Sequence, residues 1–560
     1  MFIPATQEEM KDLGWDRMDV ILVTGDSYID HPCIGVSVIG HVLLDAGLRV
    51  GIIAQPETAS DRAIARFGEP VLFWGVTAGS LDSMVANYTA MKKRRKHDDY
   101  TPGGINNRRP DRATIVYSNL IRRFFKDTSP IVLGGIEASL RRIAHYDFWS
   151  NKVRRSILFD AKADILVYGM GEGTVLELAR CLEAGQGIHD IPGICYISKD
   201  MPCSGIELPS FDRAAGDKQA FCEMFQLFYE NIGMHAEPMF QAHNTRYLVQ
   251  TPPRAPLTPK ELDRVYSMGF ERDQHPFYSK EGKVSALETI RFSITSHRGC
   301  YGECSFCSIA LHQGRTVVSR SEQSILNEAR GFTRHHGFKG IISDVGGPTA
   351  NMYNIECRQK GLNGGCRSRR CLYPTVCEGL RVDHSAQIHL LKSLRELPGI
   401  RKVFVASGIR YDMVMADKRH GQRYLKELVR YHVSGQMKIA PEHTEDRVLR
   451  YMGKPGKDDL IAFKDLFYRF TRLDAKKQFL TYYLIAAHPG CTLEDMRRLR
   501  SFAHTHLKTT PEQVQIFTPL PSTLSCVMYY TETDPSSGKK LFVEKDGAKR
   551  LKQKDMVVRS

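Results

Sequence analysis

The sequence lacks any apolar run of about 18 residues or more, which argues against a membrane-spanning helix. Its first residues, MFIPATQEEMKDLGW, contain no basic segment followed by an apolar one, so no secretory signal is expected and a cytoplasmic location is the default. Short-period repeats, low-complexity tracts, and the signatures of RNA-recognition, zinc-knuckle and helix-turn-helix modules are also absent. A globular protein is therefore expected, and 560 residues exceed one hydrophobic core, which predicts two or three domains.

Positive charge is in excess. Lysine and arginine number 78 against 63 aspartates and glutamates, which gives a net charge of +15. The densest basic run is KKRRK at 92–96. Such charge permits attraction to nucleic acid, whereas a run of this kind is more often a solvated helix face. Both interpretations stay open from the sequence alone.

The first 200 residues alternate short apolar runs with amphipathic segments such as 36–47 and 173–185, which are expected to be helices. Strands are expected at 19–25, 49–55, 70–75, 114–119, 130–135, 163–169 and 193–198. This alternation predicts an α/β domain at 1–200 with a Rossmann-like, doubly wound parallel sheet. The proline-rich stretch 201–285 is interpreted as a connecting region.

A second alternation extends over 286–520 and predicts six βα units. Strands are expected at 289–296, 339–347, 402–408, 436–442, 478–490 and 514–520. Six units cannot fill a closed eight-stranded barrel, so an open, partial (β/α)6 TIM-like barrel is predicted, with its site at the carboxyl ends of the strands. The basic stretch 521–560 is expected to be a peripheral C-terminal extension.

Three cysteines follow the first strand of the second domain in the spacing C-x3-C-x2-C, at Cys300, Cys304 and Cys307. In a reducing compartment, clustered cysteines bind metal or perform chemistry more often than they form disulfides. Three thiolates can hold a 4Fe–4S cluster and leave one iron open to a small molecule. The alternative is a Cys3His zinc site, for which the nearest fourth ligands are His297 and His312.

These residues resemble the radical S-adenosylmethionine (SAM) superfamily and, within it, the YgiQ family. The matching stretches are YTPGGINNRRPDRA, VLGGIEASLRRIAHYDFW, YGMGEGT, CSFCSIALHQGR, SDVGGPTANMY, KIAPEH, AAHPGCTLEDM and FTPLPSTLSCVMYYT. The resemblance implies a 4Fe–4S cluster on the three cysteines, reductive cleavage of SAM to a 5′-deoxyadenosyl radical, and an electron donor such as flavodoxin or ferredoxin. It does not identify the substrate, small molecule or macromolecule, or a catalytic residue that acts on it.

The resemblance also implies contacts to SAM. Phe306, just before the last cysteine, is positioned to cover the adenine. The superfamily usually has a Gly-Gly-Glu-like strand end that binds the amino group. Here Gly346 and Gly347 precede a proline, so their backbone carbonyls are expected to serve instead. Glu442, at the end of a later strand, is a candidate for the ribose or the amino group.

A second set of cysteines lies in an insertion at 355–380. Its members are Cys357, Cys366, Cys371 and Cys377, with the arginines Arg358, Arg367, Arg369 and Arg370 beside them. Their spacing fits no common zinc ribbon, yet four thiols in a polar loop indicate a candidate second metal site, either Fe–S or zinc. The arginines would stabilise an anionic cluster or bind an anionic substrate. The alternative is four loop thiols without a common ligand.

The N-terminal domain also resembles the cobalamin-binding domains of other radical SAM enzymes, which carry D-x-H-x-x-G with a cobalt-ligating histidine. Asp30 and Gly35 match this pattern, but Pro32 replaces the histidine and His31 is one position away. Cobalamin is therefore a candidate cofactor, and a repurposed Rossmann-like domain is the alternative.

Three functions are consistent with these patterns. The first is a radical SAM enzyme of unidentified substrate. The second is an RNA-modifying enzyme, acting on tRNA or rRNA that its basic surface recruits. The third is a non-catalytic metal-binding scaffold. The position of the cysteine loop at a barrel strand end favours an enzyme over a scaffold.

Overall fold

The computed structural model describes residues 1–359, 366 and 370–558. The chain divides into two compact units. The first contains Met1–Leu257 and Arg264–Arg291, and the second contains Thr258–Asp263 and Phe292–Ser560. Most of the stretch 201–285, interpreted from the sequence as a connecting region, therefore belongs to the first unit.

The first unit contains thirteen strands among its described residues. They are β1 Val20–Thr24, β2 Ile29–Asp30, β3 Val50–Ala54, β4 Phe73–Thr77, β5 Ile131–Leu133, β6 His145–Asp147, β7 Lys152–Arg154, β8 Ile165–Val167, β9 Ile194–Ser198, β10 Ile206–Leu208, β11 Met239–His243, β12 Arg246–Gln250 and β13 Asp273–Gln274. The helices are α1 Gln7–Asp12, α2 Gly35–Asp45, α3 Ser83–Asn87, α4 Ala113–Phe124, α5 Gly135–Leu140, α6 Ile157–Ala161, α7 Glu172–Glu183, α8 Phe211–Gly216, α9 Lys218–Glu230, α10 Pro259–Ser267, α11 Pro276–Ser279 and α12 Ala286–Ile290, with a 3-10 turn at Pro102–Gly104. The boundary between the two units falls within α10, between Asp263 and Arg264.

Nine of these strands form one sheet in the order β10-β11-β12-β9-β8-β5-β4-β1-β3. The five strands from β3 to β8 run parallel, as the sequence predicted, in the 2-1-3-4-5 order of flavodoxin-like sheets. Beyond them, β9, β12 and β11 pair antiparallel. The sheet therefore extends through β10–β12, whose buried residues Leu208, Phe240 and Leu248 join the core instead of spanning between domains.

One expected strand is a helix. The segment 114–119 lies within α4, whose residues Tyr117, Leu120 and Ile121 are buried at helical spacing. Its β-branched residues resemble a short buried strand, and only the longer period distinguishes the two. The basic run at 92–96 is exposed, but it lies in turns beside a Tyr88–Arg94 bridge and not on a helix.

The second unit contains eleven strands among its described residues. They are β14 Ser293–Thr295, β15 His297–Arg298, β16 Val318–Ser319, β17 Ile341–Ile342, β18 Asp344–Gly346, β19 Glu356–Cys357, β20 Leu380–Arg381, β21 Lys402–Val403, β22 Gln436–Glu442, β23 Phe479–Ala486 and β24 Val514–Ile516. The helices are α13 Ile309–Gln313, α14 Glu322–Phe332, α15 Ser385–Arg395, α16 Tyr411–Ala416, α17 Gly421–Glu427, α18 Asp446–Met452, α19 Asp458–Leu473, α20 Leu493–Phe502, α21 Leu524–Thr531 and α22 Gly547–Val558, with π-helical turns at Leu428–His432 and Ala503–Leu507.

The main strands of the second unit run parallel and follow one another in chain order. β14 pairs with β18, β17 with β21, and β22 with β23, which pairs with β24. A parallel bridge from Ile409 to Ile439 connects the stretch after β21 to β22. The helices between these strands bury an apolar core that includes Ile342, Phe463 and Tyr482. The carboxyl ends of the strands consequently lie at one edge.

The stretch 521–560, expected to be peripheral, is instead packed into the second unit. The helix α22 buries Arg550, Gln553 and Val557. The Gln553 side chain accepts a hydrogen bond from the Ala487 amide at 2.9 Å and donates one to the Cys491 carbonyl at 3.2 Å. The helix therefore fixes the loop that follows β23, although two of its four exposed residues are lysines.

Candidate functional site

Two paired strands flank the cysteine loop. β15 and β16 pair antiparallel and form its base. Within the loop, the Cys300 amide donates to the Gly314 carbonyl at 3.2 Å, and the Cys307 amide donates to the Cys304 carbonyl at 2.9 Å. The Ser305 amide donates to the Met452 carbonyl, at the end of α18, at 2.8 Å. These backbone bonds fix the positions from which the three thiols project.

Two of the three thiols, those of Cys300 and Cys304, lie beside Gly302. A Cβ at this glycine would lie 3.3 Å from the Cys300 sulfur and 3.7 Å from the Cys304 sulfur, and the Gly302 amide donates to the Cys300 sulfur at 3.3 Å. Burial raises the pKa of Cys300 and of Cys307, and the neighbouring Cys304 thiol raises both further. Three half-buried thiols within electrostatic reach of one another, two of them beside a position without a side chain, fit an iron–sulfur cluster.

An arginine lies against these sulfurs. The Arg410 Nη1 is 3.6 Å from the Cys304 sulfur, and its Nε donates to the Asp412 carboxylate at 2.8 Å. Burial lowers the pKa of Arg410, but Asp412 and the cysteines outweigh burial and raise it above its usual value. The guanidinium therefore stays charged and offsets negative charge on the sulfurs.

Glu442 ends β22 beside the same thiols. It adopts a left-handed backbone conformation, with φ 70°, directly after an irregularity in the β22–β23 register. Burial raises its pKa, while Lys454 and Arg410 oppose this shift, and Glu442 in turn adds to the raised pKa of Cys307. Lys454 is itself held by a 2.6 Å hydrogen bond to the Ala440 carbonyl. A strained, buried carboxylate at a strand end is typical of a functional position.

The other predicted cofactor residues lie at the same edge. Gly347 leaves room for His297, because a Cβ there would lie 2.6 Å from the His297 Nε2. The Gly346 carbonyl accepts hydrogen bonds from the Ser296 amide at 2.7 Å and from its hydroxyl at 3.1 Å, which uses both lone pairs. Phe306 packs on an apolar cluster of the second unit and meets the His488 ring edge to face at 6.3 Å.

His297 is not placed as a fourth zinc ligand. Its Nδ1 lies 2.9 Å from the Ser296 hydroxyl and its Nε2 lies 3.0 Å from the Thr349 carbonyl, so both ring nitrogens are engaged. Burial lowers the pKa of His297 to about 4. The ring is therefore a neutral, hydrogen-bonded part of the fold at the entrance to the cysteine loop.

The spacing of the cysteine sulfurs also differs from that of a zinc site. Among the described residues, one set of three or more metal-ligating atoms lies within 4.8 Å of one another, and it comprises Asp383, Asp417 and His420. The Asp417 carboxylate already accepts hydrogen bonds from the amides of His384, Arg419 and His420. The cysteine sulfurs are spread more widely than the roughly 3.8 Å that Zn–S bonds of about 2.3 Å impose in a tetrahedron.

Three cysteines of the insertion lie together. Cys357 pairs with Leu380 in the β19–β20 hairpin, and the Cys377 amide donates to the Cys371 carbonyl at 2.8 Å. Cys357, Cys371 and Cys377 pack against one apolar cluster, which Cys300 also contacts. Cys366 is exposed, and Arg367 and Arg369 lie outside the described residues.

In the first unit, the residues that resemble a cobalamin motif are used by the fold. His31 is fully buried, with its Nδ1 3.1 Å from the Cys33 amide and its Nε2 2.9 Å from the Arg272 Nη1. The Asp30 carboxylate is equally buried and accepts a hydrogen bond from the His41 ring at 2.8 Å. Burial and Arg272 hold the pKa of His31 well below its usual value. These contacts anchor the loop after β1.

The cleft where flavodoxin-like sheets bind cofactors lies at the carboxyl ends of the first and third parallel strands, here β1 and β4. Buried charged side chains lie at this place. Asp26, after β1, accepts from the Ser80 amide at 2.6 Å and pairs with the buried Arg109 at 2.6 Å. Arg109 also pairs with Asp98 at 3.1 Å and donates to the Gly25 carbonyl at 3.1 Å. Two buried carboxylates and their shared arginine therefore lie at the ends of these strands.

We expect Arg109→Met to destabilise the first unit strongly, because Asp26 and Asp98 would remain buried without their counter-ion. The expected loss is about 3–5 kcal/mol in the free energy of unfolding, measured by denaturant titration. Its neighbour Arg108 is the matched control, since it pairs with Glu281 near the surface at 2.5 Å. Arg108→Met should cost less than about 1 kcal/mol. Equal losses in the two variants would contradict this assignment.

Sequence reasoning missed Arg410, Asp412 and Lys454. Arg410 and Asp412 come two and four residues after Gly408, which ends the strand expected at 402–408. Charged residues just after a buried strand were the available signal, because that edge is where sites form.

Comparisons with known proteins identify the family of the chain. Residues 2–293 match the family model described as Radical SAM N-terminal, which covers the first unit. The chain is 56% identical over 558 residues to a UPF0313 protein of Fusobacterium nucleatum, covering 99% of this chain and 98% of the relative. It is 50% identical over 567 residues to a UPF0313 protein of Thermotoga maritima, covering 100% and 98%. The chain therefore carries a radical SAM N-terminal domain. It belongs to the UPF0313 family.

Two solved structures show a more distant likeness. One is the radical SAM methyltransferase TsrM from Kitasatospora setae, at 15% identity and a TM-score of 0.49, covering 90% of this chain and 74% of that one. The other is the cobalamin-dependent SAM radical enzyme OxsB, at 12% identity and a TM-score of 0.48, covering 92% and 56%. Separately, no helix among the described residues is both long and apolar enough to cross a membrane.

Proposed function

We propose that the protein is a radical SAM enzyme in which Cys300, Cys304 and Cys307 hold a 4Fe–4S cluster. The observation that carries this proposal is the proximity of three half-buried thiols, two of them beside Gly302, with Arg410 against the Cys304 sulfur. Membership of a family with a radical SAM N-terminal domain supports it. When bound, the cluster and SAM together supply reductive cleavage of the sulfonium and a 5′-deoxyadenosyl radical.

The chain positions and shields these groups. Arg410 offsets the negative charge of the sulfurs, and the buried carboxylate of Glu442 is available to the amino or ribose groups of SAM. The Gly346 carbonyl has no lone pair left, so of the two glycines Gly347 is the one we assign to the amino group. Phe306 is assigned to the adenine. A carbon radical requires a site without water, and burial of this edge excludes water.

The parallel, sequential strand pairing of the second unit supports a partial (β/α)6 barrel as the scaffold of this site. We also propose that the YgiQ-like motifs and the UPF0313 family describe one group of proteins. The motifs extend through both units, as the aligned relatives do. The substrate is the remaining unknown of the reaction.

The experiment is cofactor cleavage by the full-length protein. After anaerobic reconstitution with iron and sulfide, the protein is reduced with dithionite in the presence of SAM. We expect 5′-deoxyadenosine and methionine to form, and neither product to form without the reductant. A protein that carries the reduced cluster, binds SAM and yet releases no 5′-deoxyadenosine would contradict the proposal.

A further inference from the structure

We propose that Cys357, Cys366, Cys371 and Cys377 bind a second 4Fe–4S cluster, next to the site of the Cys300 loop. This inference goes beyond the proposed function, because it requires neither SAM nor an open iron. Four cysteine ligands are the usual complement of such a cluster.

The backbone of the insertion brings its two ends together. The antiparallel pairs Glu356–Arg381 and Cys357–Leu380 close the base of the insertion. The Leu380 amide donates to the Cys377 carbonyl at 2.9 Å, and the Cys377 amide donates to the Cys371 carbonyl at 2.8 Å. The segment from 371 to 380 therefore turns back on itself and places two of its cysteines beside the strand that ends in Cys357.

The thiols lie where a cluster would be shielded. Cys357, Cys371 and Cys377 are half-buried against an apolar cluster that includes Leu372 and Tyr301. No disulfide joins any of the cysteines of the chain that the structure describes. A polar loop with little apolar core of its own gains little stability from packing. A metal bound by several of its thiols would stabilise the loop in one conformation.

A cluster fits these thiols better than a single zinc ion does. Zinc sites are usually built from two cysteine pairs with short spacers of two to four residues, whereas the spacers here are eight, four and five. As in the Cys300 loop, no three of the described sulfurs lie within 4.8 Å of one another. A multi-iron cluster holds its ligands farther apart than one ion does, so the observed spread suits it.

The insertion contacts the first cysteine loop directly. The Arg370 Nη1, adjacent to Cys371, donates to the Ser305 hydroxyl, adjacent to Cys304, at 3.4 Å. Tyr301, adjacent to Cys300, lies in the apolar cluster against which Cys357, Cys371 and Cys377 pack. The two sites are therefore neighbours, and paramagnetic clusters in both will influence each other.

The test counts iron and sulfide in full-length protein reconstituted anaerobically with ferrous iron and sulfide. We expect about eight of each per chain in the wild type and about four in the Cys300→Ala, Cys304→Ala, Cys307→Ala variant. Replacing Cys357, Cys371 and Cys377 with serine should also leave about four. Cys203→Ser, which changes an exposed cysteine of the first unit, is the matched control and should retain about eight.

A spectroscopic measurement distinguishes loss of the second cluster from misfolding of the insertion variant. In dithionite-reduced wild type, the EPR signal should show two interacting clusters, and the single substitution Cys371→Ser should simplify it to one. Circular dichroism establishes that each variant is folded. About four irons in the wild type with none in the Cys300-loop variant would overturn the proposal, and so would zinc, instead of iron, retained on the insertion cysteines.

Discussion

Replacing Cys300, Cys304 and Cys307 together with alanine is expected to reduce SAM cleavage to the level of a protein-free control. The reason is that SAM must bind to an iron with an open coordination site, and in this proposal only the cluster of the Cys300 loop has one. Binding of the cluster requires three thiolates, and burial raises the pKa of Cys300 and Cys307. Metal must therefore displace protons, and loading should improve as the pH rises.

The measurement is 5′-deoxyadenosine released per chain, by liquid chromatography, after reduction with dithionite. The control is Cys203→Ser, because this exposed cysteine lies in the other unit and contributes no ligand. Thermal unfolding of the triple variant checks that the fold survives. Cleavage at the wild-type rate in a folded triple variant would place the cofactor chemistry elsewhere.

The sequence predicts the cysteine loop as a candidate site because the residues involved are close together in the chain. Eight consecutive residues contain all three thiols and Gly302. The Arg410 contact was not readable, since it depends on two loops separated by about a hundred residues meeting at one strand edge. Glu442 lies between these cases: its position at a strand end was predicted, and its left-handed backbone was not.

The extent of the first unit was misjudged for a local reason as well. The stretch MFQAHNTRYLVQ forms the β11–β12 hairpin, with Asn244 in the left-handed conformation at φ 57°. Two apolar-rich runs separated by a two-residue turn containing asparagine are a hairpin signal. The prolines that follow at 252–256 are typical of a linker, and they outweighed the hairpin signal in the prediction. Similarly, basic residues on α22 concealed the buried Arg550, Gln553 and Val557.

Arg410→Met is expected to shift the midpoint potential of the Cys300-loop cluster to more negative values, by on the order of 100 mV. The substitution removes a positive charge whose nearest nitrogen is 3.6 Å from the Cys304 sulfur, and it leaves the Asp412 carboxylate buried without its partner. Both changes disfavour the added electron of the reduced cluster. Cleavage of SAM by a weak reductant should then fall more than cleavage by an excess of dithionite.

The potential is measured by EPR-monitored redox titration of the Cys357→Ser, Cys371→Ser, Cys377→Ser background, so that only one cluster contributes. The double variant Arg410→Met, Asp412→Asn removes the uncompensated carboxylate, and it should recover part of the potential and of the stability. Arg419→Met, an exposed arginine of the same unit, is the matched control and should leave the potential unchanged. A potential equal to that of the parent in the folded Arg410→Met variant would show that this guanidinium does not act on the cluster, and its role would then be limited to pairing with Asp412.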